Sequence, residues 1–219
     1  MLAVRTKQVT AIESDQGLFP ILEEVTRPFE NINLVKGDIW ELSLDRFFTE
    51  DGYLVVANIP YYITSAVIRH LLEGKVRPAR MVLTMQREVA ERITNKDEKM
   101  SLLSLSVQVY GNAHIGSHIP ASCFYPEPNV DSSVLIIDVD PQPKLSTEGI
   151  NTLFNLAHAA YNQKRKMLRG SLSPLLGRDK QSTAALLEKA GIDPRRRPET
   201  LSLEDWIRLV AVVEDLDFH

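Results

Sequence analysis

Val55-Val56-Ala57-Asn58-Ile59-Pro60-Tyr61-Tyr62-Ile63-Thr64 is an apolar run that stops at an asparagine and turns through a proline into two aromatics. Such a run, bounded by a turn signal, reads as a buried strand of about Tyr53 to Ala57. Ser65 to Glu73 has helical spacing, with Thr64 or Ser65 as its cap and Gly74 as its stop. Upstream, Val9 to Ile12 and Ile32 to Lys36 read as strands flanking a helix from Leu18 to Phe29, where Pro20 is tolerable in the first turn. Downstream, Arg80 to Met85 is a strand and Arg87 to Ile93 a helix. Strands alternating with helices of this length predict an α/β fold with a parallel, doubly wound sheet.

After Gly111 the alternation ends. Ala113 to Ile119 and Ser133 to Val139 read as strands joined by a proline-bearing loop with no helix between them, which predicts an antiparallel pair at one edge of the sheet. Pro141-Gln142-Pro143 is a linker. Beyond it the patterns are helical only, at about 147–160, 164–176, 180–190 and 202–216. The expected division is residues 1–141 as an α/β domain and 142–219 as a small all-α domain.

Of the 219 residues, 44% are hydrophobic and 25% charged, ordinary values for a globular protein. No apolar run reaches the ~20 residues that span a bilayer, and no signal segment opens the chain. One cysteine, Cys123, excludes an internal disulfide. A cytoplasmic protein without a membrane partner is expected. The net charge of −4 hides an uneven distribution. Residues 160–200 hold ten Lys/Arg against four Asp/Glu, a balance of +6, which leaves −10 for the rest. Such a basic attachment on an acidic body suits phosphate binding through one face, or is simply a solvated helix surface.

Ligands of doubly wound sheets sit beyond the carboxyl ends of the strands, so residues that follow strands are the candidates. Glu13 can accept from both hydroxyls of a ribose, and Asp38 from the exocyclic amine of an adenine. Either acid alone is equally a turn or cap residue. Asn58 and Pro60 suit a different task. The amine of adenine is a poor nucleophile because its lone pair is delocalised into the ring. An Asn carbonyl, with the backbone carbonyl before or at a proline, can hold that amine pyramidal and in line for attack. Tyr61 offers the base a stacking face. Asn-Pro loops also occur as plain turns.

Here the sequence resembles a known family. Asn58-Ile59-Pro60-Tyr61 after an apolar strand is similar to the catalytic motif of adenine-N6 methyltransferases, and Tyr62-Ile63-Thr64-Ser65 to the branch that dimethylates ribosomal RNA adenines. Phe124-Tyr125-Pro126-Glu127-Pro128-Asn129-Val130-Asp131-Ser132 resembles that family's Phe, Pro, Pro, Val, Ser loop. Asn162-Gln163-Lys164-Arg165-Lys166-Met167-Leu168-Arg169 and Ala190-Gly191-Ile192-Asp193-Pro194 resemble the helical tail of the small-subunit rRNA dimethyltransferases, a tail not expected in the erythromycin-resistance methyltransferases.

The resemblance implies a class I methyltransferase Rossmann-like sheet and S-adenosylmethionine as cofactor. Glu13, Asp38, Ile39 and Asn58 fall on cofactor-binding positions. Asn58, Pro60, Tyr61 and Phe124 are catalytic, with Phe124 covering the adenine face opposite Tyr61; from the residues alone, Phe124 is equally a lid or a core ring. Lys164, Arg165, Lys166 and Arg169, expected within two helical turns, bind RNA, and Arg195 to Arg197 form a second contact. The implied partners are small-subunit ribosomal RNA and the small ribosomal subunit, with the chain a monomer.

The family's strand and Gly-rich turn before Glu13 have no match in this chain. The sheet is therefore expected to lack its first strand, and donor binding to be weak. A non-catalytic ribosome-assembly factor is the alternative reading, and a DNA adenine methyltransferase a third. No metal is expected: His114 and His118 are four apart but in a strand. Cys123 is expected to be buried, and Trp40 and Trp206 to be packing residues.

Overall fold

In the computed structural model, which describes residues 2–94, 99–163 and 165–217, the elements follow the alternation read from sequence. They are β1 (Val9–Glu13), α1 (Phe19–Thr26), β2 (Ile32–Lys36), β3 (Tyr53–Asn58), α2 (Thr64–Glu73), β4 (Pro78–Gln86), α3 (Arg87–Thr94), α4 (Leu102–Tyr110), β5 (Gly111–Ile119), β6 (Ser132–Val139), α5 (Thr147–Tyr161), α6 (Leu168–Leu176), α7 (Lys180–Lys189) and α8 (Leu203–Asp217).

The strands form two sheets. β1 and β2 pair in parallel, and β3-β4-β6-β5 form the other sheet. β3 runs parallel to β4, with Asn58 opposite Thr84. β6 is antiparallel to both β4 and β5, as the absence of a helix between β5 and β6 demands. β1 and β3 are not hydrogen-bonded to each other. Their facing edges leave a seam, along which Leu54 and Val56 are 64% and 55% exposed.

The core is centred on β4, where Met81, Leu83 and Met85 point to one face and are fully buried, the period-2 signature of a strand. Val67, Ile68, Leu71 and Leu72 of α2 and Leu105 and Val109 of α4 are also buried, and α2 and α4 lie against each other. α2 begins at Thr64 after Ile63, which supplies no side-chain cap. Neither Thr64 nor Ser65 is therefore the expected cap; the Thr64 hydroxyl instead donates to the Pro60 carbonyl.

α4 has no counterpart in the sequence reading. It is capped by Ser101, whose hydroxyl accepts the Ser104 N–H, and it buries Ser104 and Ser106, which donate to the carbonyls of Arg92 and Leu102. α4 then passes into β5 with no intervening residue. A Cβ on Gly111, at the junction, would lie 2.1 Å from the Asp138 carbonyl oxygen.

The C-terminal helices bury Leu153, Leu156, Leu172, Leu187 and Leu209 around Trp206, which is fully enclosed and stacks on Tyr161 at 6.3 Å. Trp206 thus packs as expected, whereas Trp40 is 42% exposed beside His70. This helical unit is tied to the start of α4 by backbone groups. The Tyr161 hydroxyl donates to the Met100 carbonyl at 2.8 Å, and the Met100 N–H donates to Glu199 O at 2.9 Å.

α6 starts four residues later than expected. Met167 is extended, the Lys166 N–H closes a turn onto Gln163 O, and the Leu168 N–H is taken by Arg196 O. Arg165 and Lys166 therefore lie in a turn, and only Arg169 is helical. Lys164 lies outside the described residues.

Candidate active site

Five of the predicted residues surround one cavity of about 420 Å³ in the seam: Glu13, Asp38, Ile39, Asn58 and Pro60. A cavity of this size is in the range that holds a drug-sized ligand. Ile12, Val55, Ala57, Phe48 and Tyr53 also line it, and the Phe48 and Tyr53 rings stack at 4.1 Å. Burial, with Asp51 nearby, raises the Tyr53 phenol well above its ordinary pKa, so it remains neutral.

The two acids stand at corresponding strand ends. Glu13 closes β1, where Oε1 accepts the Asp15 N–H at 2.8 Å. Asp38 follows β2, where Oδ1 accepts the Trp40 N–H at 3.1 Å. In each, one carboxylate oxygen holds the local turn and the other has no partner among the described residues. Two acceptors facing a cavity walled by Ile12 and Ile39 fit the two polar ends of an adenosine, its ribose hydroxyls and its exocyclic amine.

Asn58 ends β3 and is exposed, while Ile59 is buried and its N–H donates to Thr84 O at 3.4 Å. The proline carbonyl is already committed: Pro60 O accepts from Ile63 N at 3.1 Å and from the Thr64 hydroxyl at 3.4 Å. Among the described residues, neither the Asn58 side chain nor the Ile59 carbonyl takes part in a hydrogen bond. Of the two backbone acceptors considered from sequence, the one before the proline is thus the one left available.

Tyr61 does not line the cavity. Its ring is half-buried, with its hydroxyl 2.8 Å from the Ser132 hydroxyl. Phe124 is half-buried at the end of a short 3-10 turn, Ala121–Cys123, between β5 and β6. Its loop is closed where Ala121 N donates to the Asp131 carboxylate at 3.0 Å and Arg87 N to Asp131 O at 3.0 Å. Cys123, expected to be buried, is exposed as the last residue of that 3-10 turn. Tyr62, Tyr53, Phe48 and Ser132 were not singled out from sequence. Two of them carried a signal there, Tyr62 as the first residue of the Tyr62-Ile63-Thr64-Ser65 motif and Ser132 as the last residue of the Phe124 motif.

The basic residues form a separate surface. Arg165, Lys166 and Arg169 are exposed. The Leu168 and Arg169 N–H groups donate to Arg196 O and Pro194 O, which brings the second arginine cluster alongside. In that cluster Arg195 pairs with Asp193 at 3.2 Å and Arg196 with Asp205 at 3.0 Å. Arg165, Lys166, Arg169 and Arg197 join no ion pair among the described residues. Within the same residues there is no group of three His, Cys, Asp or Glu able to hold a metal, and His118 instead pairs with Ser133 at 2.8 Å. No described helix is long and apolar enough to cross a membrane.

Residues 1–215 match the family profile described as ribosomal RNA adenine dimethylase. Ribosomal RNA small subunit methyltransferase A of Dehalococcoides mccartyi strain CBDB1 is 44% identical over 211 residues, 95% of this chain and 72% of that protein. Its namesake in Bacillus mycoides strain KBAB4 is 36% identical over 218 residues, 95% of this chain and 75% of that protein.

Two crystal structures share the fold. The 23S rRNA methyltransferase ErmE has a TM-score of 0.73 at 23% identity, covering 97% of this chain and 84% of that one. A dimethyladenosine transferase from Plasmodium falciparum has a TM-score of 0.74 at 21% identity, covering 93% and 80%. Because the ErmE match spans nearly the whole chain, a helical tail as such does not separate the two branches as the sequence reading expected.

Proposed function

This chain belongs to the ribosomal RNA adenine dimethylase family, and from that premise we propose that Asn58, the Ile59 carbonyl, Tyr61 and Phe124 present an adenine of small-subunit ribosomal RNA for methylation at N6. The reaction is S-adenosylmethionine-dependent dimethylation of ribosomal RNA adenine. When bound, S-adenosylmethionine supplies an electrophilic methyl group on a sulfonium.

Glu13 and Asp38 would hold its adenosine through their free carboxylate oxygens, and Ile39 would supply an apolar wall of the same cavity. Asn58 Oδ1 and the Ile59 carbonyl accept the two N6 hydrogens, which localises the nitrogen lone pair and turns it toward the cavity. Pro60 fixes the direction of the Ile59 carbonyl by restricting the backbone. Tyr61 and Phe124 stack on the two faces of the extruded base. No general base is required, because the N6 proton becomes acidic once the nitrogen has taken the methyl group.

The observation that carries this reading is that two unused acceptors at the end of β3 border the same cavity as two half-used carboxylates. The RNA is gripped by the helical unit, residues 142–219, through Arg165, Lys166 and Arg169 together with Lys164. The chain acts as a monomer on the small ribosomal subunit in the cytoplasm. The test is methyl transfer from labelled donor to undermethylated small subunits, with dimethyladenosine quantified. Asn58→Ala is expected to lower kcat by about 100-fold, the scale of a misplaced reactant, with RNA affinity nearly unchanged. An unaltered kcat overturns the role of Asn58.

A further inference from the structure

Ser132 is fully buried, yet its hydroxyl lies 2.8 Å from the hydroxyl of Tyr61, 71 residues away in the chain. We infer that Ser132 is a positioning residue that holds the Tyr61 ring in the orientation needed to support the target adenine, an inference that rests on the role proposed for Tyr61 above.

The two partners differ in how firmly they are held. Tyr61 opens a three-residue 3-10 turn that follows exposed Pro60. Pro60 gives that turn no side-chain cap hydrogen bond, and a ring that swings cannot define the plane of a base. Ser132 is the first residue of β6, opposite Gln86 on β4 and Ile119 on β5. With a strand on each side, its backbone cannot follow the tyrosine. Buried hydroxyls need a partner, and among the described residues Tyr61 is the one that Ser132 has. The adjacent Ser133 serves a different purpose, bonding His118 within the β5–β6 pair.

Position along the chain adds a second reason. Ser132 directly follows Asp131, whose carboxylate closes the Phe124 loop. The rings assigned to opposite faces of the base are thereby referenced to two consecutive residues. The gap between them is set at the start of β6 rather than by either flexible turn.

The experiment measures kcat on undermethylated small subunits for Ser132→Ala, Tyr61→Phe and the double variant, with melting temperature and RNA affinity alongside. A parallel readout replaces the target adenine in an RNA oligonucleotide by 2-aminopurine, whose fluorescence is quenched on stacking. Each single variant is expected to lower kcat about two- to twelvefold, the range to which the net free energy of a neutral hydrogen bond converts. Quenching should fall with it. The double variant should be no worse than the worse single, because both remove one interaction. Ser132→Thr, which keeps the hydroxyl, should recover most of the loss, and Ser133→Ala should change melting temperature but not kcat.

Multiplicative losses in the double variant, or wild-type kcat and quenching in Ser132→Ala, overturn the inference. Should Ser132→Ala fail to fold, Tyr61→Phe, which leaves β6 intact, decides alone: wild-type kcat and quenching defeat the inference. Tyr61→Ala separates the two layers. If it retains full kcat, the reading of Tyr61 as a base platform fails. If it is impaired while Ser132→Ala and Tyr61→Phe are not, only the positioning role fails.

Discussion

Replacing Arg165, Lys166 and Arg169 together by alanine removes three exposed cations that join no ion pair among the described residues. Among the described residues no carboxylate is stranded by the change, so its effect on RNA binding is a measure of phosphate contact. Each contact to phosphate contributes about −0.7 to −0.9 to the slope of log K against log salt, for single-stranded and duplex nucleic acid respectively. Three contacts therefore account for a slope of about −2.1 to −2.7. Over a fourfold rise in salt, from about 50 to about 200 mM, the native chain should lose about 20- to 40-fold more affinity than the triple variant. Fluorescence anisotropy with a small-subunit rRNA fragment, titrated at four or five salt concentrations, reads this directly. Parallel slopes for the two proteins refute the assignment of the 165–169 surface to RNA, whatever the absolute affinities. Arg195→Ala is the informative contrast, because Arg195 is already paired with Asp193 and should contribute a smaller change in slope.

Gly111→Ala should destabilise the fold by about 1–3 kcal/mol, the cost of overpacking, and toward the upper end, because the added carbon meets the Asp138 backbone carbonyl rather than a yielding side chain. Urea unfolding with an unchanged midpoint contradicts this. Asp179 caps α7 by accepting the N–H groups of Gln181 and Ser182. Those hydrogen bonds, the one from Ser182 foremost, lower its pKa below the ordinary 3.8. A lowered carboxylate stabilises the fold above its unfolded pKa and ceases to do so as pH falls through the folded value. Asp179→Ala should therefore lower the melting temperature at about pH 7, and the gap to the native chain should narrow as the pH falls below the ordinary carboxylate value of 3.8; a gap independent of pH counts against the cap.

The strand-turn-helix around Asn58 is legible in sequence because every determinant is local: an apolar run, a proline with fixed φ and a glycine stop. Glu13 and Asp38 are legible for the same reason, as the first polar residues after strands. α4 is not. Leu102 to Tyr110 mixes leucines with serines and β-branched residues, and its helix depends on Ser104 reaching the Arg92 carbonyl, a contact outside its own window. The start of α6 at Leu168 rather than Lys164 is decided by the Arg196 carbonyl, 28 residues on. The tie between Tyr61 and Ser132 is the extreme case. Both residues stand in recognisable motifs, yet nothing in either motif states that the two touch.

The junction at Gly111 gives the molecule a fixed reach. The helical unit grips the start of α4 at Met100, α4 runs into β5 without a joint, and β5 ends at the loop that carries Phe124. On the roles proposed above, the RNA grip at Arg165 to Arg169 and the base held at Phe124 are two marks on one measuring rod. Such a rod would choose its adenine by distance from the gripped phosphates as well as by the chemistry of the pocket. An RNA that carries the same target sequence on a stem of a different length presents that adenine out of range.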